Sequence, residues 1–234
     1  MRAVSTSLHR RIVHGLGRQI LSGKLRPGQA IPIPAGLGAS RTALREALKV
    51  LTAKGLVEAR PRVGTRVRAR SDWQLFDKDV ISWQRGGRLG AAFLNEVTEV
   101  REILEPATAA LAAKRASKDD IAEIARAYGD MEAATSGKRV KLAAFVDADF
   151  RFHAGILRAS GNELLTQLGQ TVFSALVLSF RTTTTRPGAA RASLPRHRAI
   201  LNAIKRGNPA AARRAMLSLM AHTAREVHKI EAPK

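Results

Sequence analysis

The sequence predicts a mainly α-helical protein with one small β-hairpin near its N-terminus. Apolar residues recur at helical spacing over residues 8–21, 43–51 and, with short breaks, 93–227. Two short extended runs, 56–60 and 65–69, flank a turn sequence that contains Pro61 and Gly64. Aromatic residues make up only 4% of a chain that is 45% hydrophobic, so the core must be mostly aliphatic, as expected of packed helices.

The first 70 residues contain a complete set of elements for a small domain. A first helix ends at Ser22-Gly23, and after a turn Ser40 is a predicted N-cap for a second helix that ends at Gly55. The hairpin follows directly. Helix, turn, helix and hairpin is the order of a winged helix-turn-helix domain, which we predict for residues 1–70.

Positive charge is concentrated in this domain. The chain carries a net charge of +21, and residues 1–70 hold 15 Lys and Arg against only Glu46 and Glu58, which gives +13. Such a concentration favours a polyanionic partner, because neutralising phosphates releases counterions. A generally basic protein surface is the alternative explanation of the charge alone.

The second helix is the predicted DNA-recognition helix. Arg41, Arg45 and Lys49 follow one another at four-residue steps and share a face, and an arginine in the major groove can bond guanine twice. The hairpin tip adds groups that can bond phosphate oxygens. The predicted DNA contacts are Ser40, Arg41, Thr42, Arg45, Lys49, Arg62, Gly64 and Thr65. An amphipathic helix with a solvated basic face is the alternative.

Residues 71–90 are predicted to form a linker, and residues 91–230 an all-α domain of about six helices. Helix breaks are expected near residues 117–120, 135–137, 160–162, 182–187 and 207–209. We find no targeting segment, and the longest apolar stretch, 172–180, is too short to span a bilayer. A cytoplasmic protein is therefore expected.

Carboxylate and imidazole groups in the helical domain suggest a metal site. Asp149 and His153 lie four residues apart on one predicted helix face, while His197 and His222 each lie on the apolar stripe of another helix. The chain has no cysteine, so these groups are its strong candidate ligands, and they suit Zn²⁺, Ni²⁺, Mn²⁺ or Fe²⁺. Histidines that are merely hydrogen-bonded in the core are the alternative.

The N-terminal domain resembles the head of the GntR family of bacterial transcription regulators. The resemblance rests on the run Ser40 to Leu48, on Gly55-Leu56-Val57, and on the run Pro61 to Val67. Between Pro32 and Ser40 the chain has only seven residues, which is about one helical turn fewer than usual in the family. The resemblance therefore implies DNA binding, with a shortened helix bracing the recognition helix.

The helical domain resembles the ligand-binding FCD domain of the FadR subgroup of that family. The matching motifs include Arg101 to Glu105, Asp149-x-x-Phe152-His153, Ser160-Gly161-Asn162 and Met216-x-x-x-Met220-x-His222. The resemblance implies that Asp149, His153, His197 and His222 hold a divalent metal ion, with zinc favoured, and that a carboxylate effector completes its coordination.

Three residues are candidates for effector binding: Arg101, Arg151 and Asn162. Arg101 matches the inward arginine of the subgroup and can hold a carboxylate with two hydrogen bonds. Its alternative is an ordinary helix ion pair with Glu105. The segment from Trp73 to Trp83 is similar to that of the family's sugar-acid regulators, which favours a sugar acid as effector, although packing of a hydrophobic linker onto the helical domain also explains these residues.

The expected function is therefore that of a homodimeric transcriptional regulator, with repression favoured over activation, that binds double-stranded operator DNA and not a membrane. No catalytic residue is predicted, because the chain lacks a base-bearing motif such as His-Glu-x-x-His. A metal-dependent hydrolase and a non-specific nucleoid protein are the alternatives.

Overall fold

A computed structural model of the chain describes residues 2–32, 41–60, 63–84, 87–183 and 187–231. The chain divides into two compact units, Met1–Ala92 and Phe93–Lys234. The architecture is mainly α-helical with one two-stranded antiparallel sheet, as the sequence predicts.

The first unit has the predicted order of helix, helix, hairpin. Its helices and strands are α1 (Arg2–Leu21), α2 (Arg41–Ala53), β1 (Val57–Arg60), β2 (Gly64–Val67), a 3-10 turn (Arg70–Asp72) and α3 (Lys78–Trp83). The helix α1 begins six residues earlier than its apolar stripe indicates. Gly55 has a φ of +71°, as expected of the predicted C-cap, and a Cβ there would lie 2.1 Å from the carbonyl oxygen of Asp72.

The hairpin is held at its base by a third extended segment that the sequence analysis missed. β1 and β2 pair with Val57 opposite Val67 and Arg60 opposite Gly64. On the other side of β2, Ile31 donates its backbone N–H to the carbonyl of Thr65, and Val67 donates to Gln29. This pairing fixes the direction of the hairpin, because both edges of β2 are hydrogen-bonded at that end.

Much of the segment predicted as a linker belongs to the first unit. Trp73, Val80 and Trp83 are buried in the same core as Leu16 of α1 and Leu51 of α2. The indole of Trp83 donates a hydrogen bond to Nδ1 of His14 at 2.8 Å. Hydrophobic packing therefore accounts for both tryptophans, but their partners are α1 and α2 of the first unit and not the helical domain that the alternative expected.

The second unit contains six helices among its described residues, in agreement with the predicted number. They are α4 (Gly87–Arg115), α5 (Lys118–Thr135), α6 (Leu142–Ala159), α7 (Glu163–Thr183), α8 (Pro187–Lys205) and α9 (Pro209–Glu231). Each predicted break is confirmed as a helix boundary. At one of them Ser117 and Asp120 form a reciprocal capping box at the start of α5.

The helix α6 occupies the centre of the second unit. It packs against α5, α7 and α8, and its side chains Ala148, Phe152 and Ile156 are at most 1% exposed. In the described part of the chain, no helix combines the length and the hydrophobicity needed to cross a lipid bilayer.

The contact between α1 and Trp83 generates a stability prediction. A Cβ on Gly17 would lie 2.4 Å from the Trp83 ring, whereas a Cβ on Gly15 would meet nothing within 4 Å. We expect Gly17→Ala to lower the free energy of unfolding by about 1–3 kcal/mol through overpacking. Gly15→Ala should raise it by up to about 1 kcal/mol, because alanine favours the helix.

Urea unfolding followed by tryptophan fluorescence measures both changes, since the only two tryptophans, Trp73 and Trp83, lie in the first unit. Equal effects of the two substitutions would show that the indole does not constrain Gly17.

A second contact in the first unit joins the end of α2 to α3. Lys54 lies 2.8 Å from both carboxylate oxygens of Asp77 and 2.8 Å from Asp79. Asp77 also caps α3 by accepting hydrogen bonds from the backbone N–H groups of Asp79 and Val80. Burial alone raises the pKa of Asp77, but Lys54 and these N–H groups outweigh it and hold the pKa below its ordinary value of 3.8.

A lowered carboxyl pKa predicts a loss of stability in acid. The contribution of Asp77 is complete above about pH 3.8 and is lost as the pH falls through the lower folded-state pKa. Lys54→Met should therefore destabilise the first unit at pH 7 more than at pH 2.5, measured by the same urea unfolding. Lys49→Met is the control, since Lys49 is 66% exposed and pairs only with Glu46 at the surface. An identical pH dependence in the two variants would contradict the prediction.

Candidate functional site

Two helices of the second unit bring a carboxylate and two imidazoles together. Asp149 and His153 lie one turn apart on α6, and α8 supplies His197. Oδ1 of Asp149 lies 3.0 Å from Nε2 of His197 and 3.7 Å from Nε2 of His153. Each of the three residues offers one ligand atom, and these atoms lie within 4.8 Å of one another. We call these three residues the Asp-His-His cluster.

Both imidazoles are held from behind through Nδ1. Nδ1 of His197 lies 3.0 Å from the backbone carbonyl of Ser193, which can only accept, so Nδ1 carries the proton. Nδ1 of His153 lies 2.6 Å from Oε2 of Glu105 on α4, in a close contact whose geometry is not that of a well-directed hydrogen bond. Both rings therefore present Nε2 to Asp149, the arrangement in which a neutral histidine binds metal.

Aromatic side chains pack around the two imidazoles. Phe152 meets both rings edge-on, with centroids 5.6 Å from His153 and 5.1 Å from His197. Phe173 of α7 lies 5.2 Å from His153 on another side. Both histidine side chains are only 2% exposed, so their rotation is restricted by packing.

The electrostatic surroundings keep the carboxylates of the site ionised. Burial raises the pKa of Asp149, but His153, His197 and Arg101 outweigh burial and lower the pKa to about 2. The pKa of Glu105 is also held below its ordinary value, because Arg101 and His153 outweigh the effect of burial. Both groups are anionic at neutral pH, which is the form that binds a cation.

The cluster has the features of a cation site. Tetrahedral ligands at about 2.1 Å from Zn²⁺ lie about 3.4 Å apart, and the observed separations of 3.0 and 3.7 Å bracket that distance. Nε2 of His197 is buried and has no well-directed hydrogen bond among the described residues. With Nδ1–H directed at Ser193, the Nε2 lone pair faces the Asp149 carboxylate, and either a second proton on the ring or a bound metal ion supplies the positive charge between them.

The side chain of Asp149 is 28% exposed, in contrast to the two imidazoles. The carboxylate is therefore the side of the cluster that solvent or a small anion can approach. A divalent ion held by these three groups would keep positions for further ligands, as sites that bind exchangeable ligands do.

Three of the four predicted metal ligands are thus brought together. The fourth, His222, is half-buried on α9 and is not a member of the Asp-His-His cluster. Its role as a ligand stays a prediction.

The structure separates the three predicted effector residues. Arg101 is 3% exposed, and its Nε donates a hydrogen bond to Oε1 of Glu105, so the helix ion pair named as the alternative is present, while effector binding by Arg101 stays a prediction. Arg151 is exposed at the surface and forms ion pairs with Asp130 and Asp147. Arg151 lies two residues before His153, and at 3.6 residues per turn such a position points to roughly the opposite side of the helix.

Asn162 has a structural task at the start of α7. Its Oδ1 accepts a hydrogen bond from the backbone N–H of Leu165 at 3.1 Å, as an N-cap does. Of the three predicted effector residues, Arg101 is the one whose bonds lead to the Asp-His-His cluster, through Glu105. Effector binding by Arg151 and Asn162 has no contact with the cluster to support it.

Glu105 and Phe173 are the parts of the site that the sequence analysis missed. Glu105 was considered only as the partner of Arg101, and its contact with His153 joins α4 to α6 across a long separation in sequence. One signal for it was present: a glutamate on the buried stripe of α4, close to Leu104 and Ala109, requires a polar partner. Phe173 lies 4.7 Å from the Arg101 guanidinium, and no sequence motif marks it.

The predicted DNA-contact surface is exposed where it is described. On α2, Ala43, Ala47 and Leu51 are buried, while the side chains of Arg45 and Lys49 are 70% and 66% exposed. Glu46 lies between these two cations, 3.7 Å from Arg45 and 3.0 Å from Lys49. The basic face of α2 is therefore free of the core, as a recognition helix requires.

The remaining DNA-contact predictions are tested only in part. Thr42 is exposed, Gly64 has a φ of +84° at the hairpin turn, and Thr65 is half-buried in β2. Ser40, Arg62 and the side chain of Arg41 lie outside the described residues, as does the short segment before Ser40.

A winged helix-turn-helix unit followed by a helical unit with a buried carboxylate–imidazole cluster is the architecture of a class of two-domain transcription regulators. Residues 8–67 match the family described as bacterial regulatory proteins, gntR family, and residues 96–222 match the FCD domain. The chain therefore belongs to the GntR family of transcriptional regulators and carries an FCD domain.

Similar proteins include operon regulators of other bacteria. The chain is 33% identical over 225 residues to the galactonate operon transcriptional repressor of Escherichia coli (strain K12), covering 94% of this chain and 96% of the repressor. It is 32% identical to the transcriptional regulator LutR of Bacillus subtilis (strain 168), covering 85% and 91%. It is 29% identical to the Glc operon transcriptional activator of Escherichia coli (strain K12), covering 94% and 89%.

Solved structures share the fold at low sequence identity. A regulator described as Lar, which controls the agr system of Listeria monocytogenes, aligns with a TM-score of 0.63 at 19% identity, over 94% of this chain and 96% of that one. A GntR protein of Streptococcus agalactiae aligns with a TM-score of 0.53 at 23% identity, over 93% and 99%.

The geometry of the cluster predicts that zinc binding depends on Asp149. Zinc at 100 times its dissociation constant should stabilise the protein by about 2.7 kcal/mol, seen as a rise in melting temperature. We expect Asp149→Asn to weaken zinc binding by more than about 100-fold, since even outer-shell partners contribute about 10–100-fold. Competition with a chromophoric chelator measures the affinity.

Asp147→Asn is the matched control, because Asp147 lies on the same helix with a side chain that is 67% exposed. It should bind zinc like the wild type. Equal zinc affinities in the two variants would exclude the Asp-His-His cluster as the site. A third variant, His222→Ala, tests the fourth predicted ligand in the same assay.

Proposed function

We propose that this protein is a homodimeric transcriptional repressor whose binding to operator DNA is controlled by a small carboxylic acid, with a sugar acid favoured. The observation that carries the proposal is the convergence of Asp149, His153 and His197 on one point, with Arg101 linked to them through Glu105. An anion that enters this site meets both a cation site and a guanidinium.

Asp149, His153 and His197 would hold the divalent cation, with His222 as the predicted fourth ligand. When bound, the cation supplies positive charge and open coordination positions for a carboxylate or hydroxyl oxygen. Zinc is favoured because two imidazoles and one carboxylate at the observed spacing suit its small tetrahedral shell. Nickel, manganese and iron remain chemically compatible with the same groups.

Arg101 is the group that would recognise the acid. Its bond to Glu105 uses the Nε–H, and the outer N–H groups of a guanidinium can bond a carboxylate in parallel. The name of one relative refers to galactonate, an aldonic acid with one carboxylate and several hydroxyls. An acid of that kind offers a carboxylate to the arginine and hydroxyl oxygens to a cation.

The match to the GntR family supports a homodimer, because regulators of this family are typically dimers. A two-fold dimer would pair two DNA-binding units with two half-sites of a symmetric operator. Light scattering that returns the mass of one chain would contradict the dimer.

Control by an acid requires that the acid distinguish two states of the protein. An acid that bound the operator-competent and the released arrangement equally would shift nothing, whatever its affinity. To move the population from 99:1 to 1:99, the released arrangement must bind the acid about 10⁴-fold more tightly. A repressor therefore needs a site whose contacts change between the two states. In this proposal the buried ion pair of Arg101 and Glu105 supplies contacts of that kind.

The test begins with selection of bound sequences from a random double-stranded DNA library, because the operator is unknown. We expect a two-fold symmetric consensus whose complex is released by millimolar galactonate or a related acid. Galactitol, which has the hydroxyls without the carboxylate, should have no effect. Arg45→Ala should lower affinity for the consensus by about 10–100-fold through loss of a base contact, whereas Lys118→Ala, an exposed change of equal charge in the second unit, should not.

Each alternative function gives a different outcome. Binding with no consensus and a steep dependence on salt would identify a non-specific DNA-binding protein. Turnover of simple esters, phosphates or amides by the zinc-loaded protein would identify a hydrolase. If the protein binds a consensus sequence but no acid in a broad panel releases it, the sensor role is refuted while DNA binding remains intact.

A further inference from the structure

Glu105 serves two partners in the interior of the second unit. Its side chain is 2% exposed, and its two oxygens face different groups. Oε1 accepts a hydrogen bond from Nε of Arg101, one turn earlier on α4. Oε2 lies 2.6 Å from Nδ1 of His153 on α6. One carboxylate therefore stands between the proposed acid-binding arginine and a predicted metal ligand.

The two imidazoles of the Asp-His-His cluster differ in what holds them. His197 is held by the backbone carbonyl of Ser193, four residues earlier on its own helix, and this partner is fixed by helix geometry. His153 is held by a side chain of another helix, and that side chain is itself held by Arg101. The orientation of His153 therefore depends on a side chain of another helix and on the arginine that pairs with that side chain.

Phe173 completes the arrangement. Its ring lies 4.7 Å from the guanidinium of Arg101 and 5.2 Å from the His153 ring, so it packs against both groups. A displacement of Arg101 thus changes the surroundings of His153 through Glu105 and through Phe173. Among the described residues, we find no comparable chain of contacts from Arg101 to Nδ1 of His197.

We propose that Glu105 is a positioning residue that couples acid binding at Arg101 to cation binding at His153. The inference rests on the proposed function. With Arg101 paired to Glu105, the carboxylate is shared between the guanidinium and the imidazole. A carboxylate ligand that takes over the guanidinium leaves Glu105 to His153, which strengthens the Nδ1–H contact and makes Nε2 a better donor to the cation. Acid and cation then raise each other's affinity, as reciprocity requires.

The first experiment measures zinc affinity by chelator competition in the full-length protein. Glu105→Gln keeps the size of the side chain and should weaken zinc binding by about 10–100-fold, the usual effect of losing an outer-shell carboxylate. Glu99→Gln is the control, since it makes the same charge change at an exposed position of the same helix. Equal affinities in the two variants would overturn the proposal.

The second experiment measures how much galactonate raises zinc affinity in the wild type and in Glu105→Gln. Direct contact between acid and zinc contributes to both proteins, so the difference isolates the part carried by Glu105. We expect the enhancement in the wild type to exceed that in the variant by roughly 5-fold or more, within the usual range of coupling between sites. The same enhancement in both proteins would overturn the coupling.

A third measurement needs no variant and covers the case in which Glu105→Gln does not fold. Histidine labelled with ¹⁵N in the zinc-loaded wild type distinguishes a metal-bound Nε2 from a metal-bound Nδ1. We expect His153 to bind through Nε2 with the proton on Nδ1, and binding through Nδ1 would overturn the positioning role. Failure of the wild type to bind zinc at all would refute the proposed metal site itself, whereas zinc binding without an effect of Glu105 would refute this inference alone.

Discussion

A buried imidazole has two nitrogens, and each needs a partner of the right kind. In the second unit the partners of Nδ1 come from outside the Asp-His-His cluster, from the Ser193 carbonyl and the Glu105 carboxylate, while both Nε2 atoms face Asp149. This constraint decides what the cluster can do. Two lone pairs directed at a carboxylate repel it, so positive charge must lie between them, supplied either by protons on the rings or by a bound cation.

The buried charges of this region are hard to explain as a source of stability. Arg101 and Glu105 form an ion pair that is at most 3% exposed, and such pairs seldom stabilise a protein more than apolar side chains of the same volume. The surrounding helices are well packed with aliphatic residues and had no physical need for a charged interior. A set of ionised groups that share partners in such a place is more readily explained by a ligand that uses them.

Much of the fold was predictable because it depends on local signals. Turn glycines, caps such as Ser117 and the 3.6-residue apolar period fixed the order of elements and the six helices of the second unit. The pairing of residues 28–31 with β2 was missed, because an extended segment without apolar alternation has no local signature. The packing partner of Trp73 and Trp83 could not be predicted either, because periodicity indicates which face of an element is apolar and not which element covers that face.

The candidate site was also predictable only in part, because local spacing places some of its residues and tertiary packing places the others. Asp149 and His153 share a helix, so a spacing of four residues was enough to place them on one side, whereas His197 joined them only through the packing of α8 against α6. Glu105 could not be identified as a site residue from the sequence, because a glutamate four residues after an arginine has the same spacing whether the pair is buried or exposed. Arg151 and Asn162 were predicted as effector residues because they lie near the motif in sequence. Arg151 instead pairs with surface carboxylates, and Asn162 caps the start of a helix.

The helix α4 has a particular place in any account of signalling by this chain. It carries both Arg101 and Glu105, and it begins at Gly87, directly after the segment that contains Trp83. A ligand can alter DNA binding only through contacts that differ between two arrangements of the protein, and rigid contacts such as the Ser193 carbonyl to His197 offer no such difference. The contacts of Arg101 and Glu105 can differ between two arrangements. The carboxylate and the guanidinium each have more possible partners than they can bind at one time. In the proposed mechanism, competition for those two groups would give an acid a physical means of acting on α4 beyond occupying a cation site.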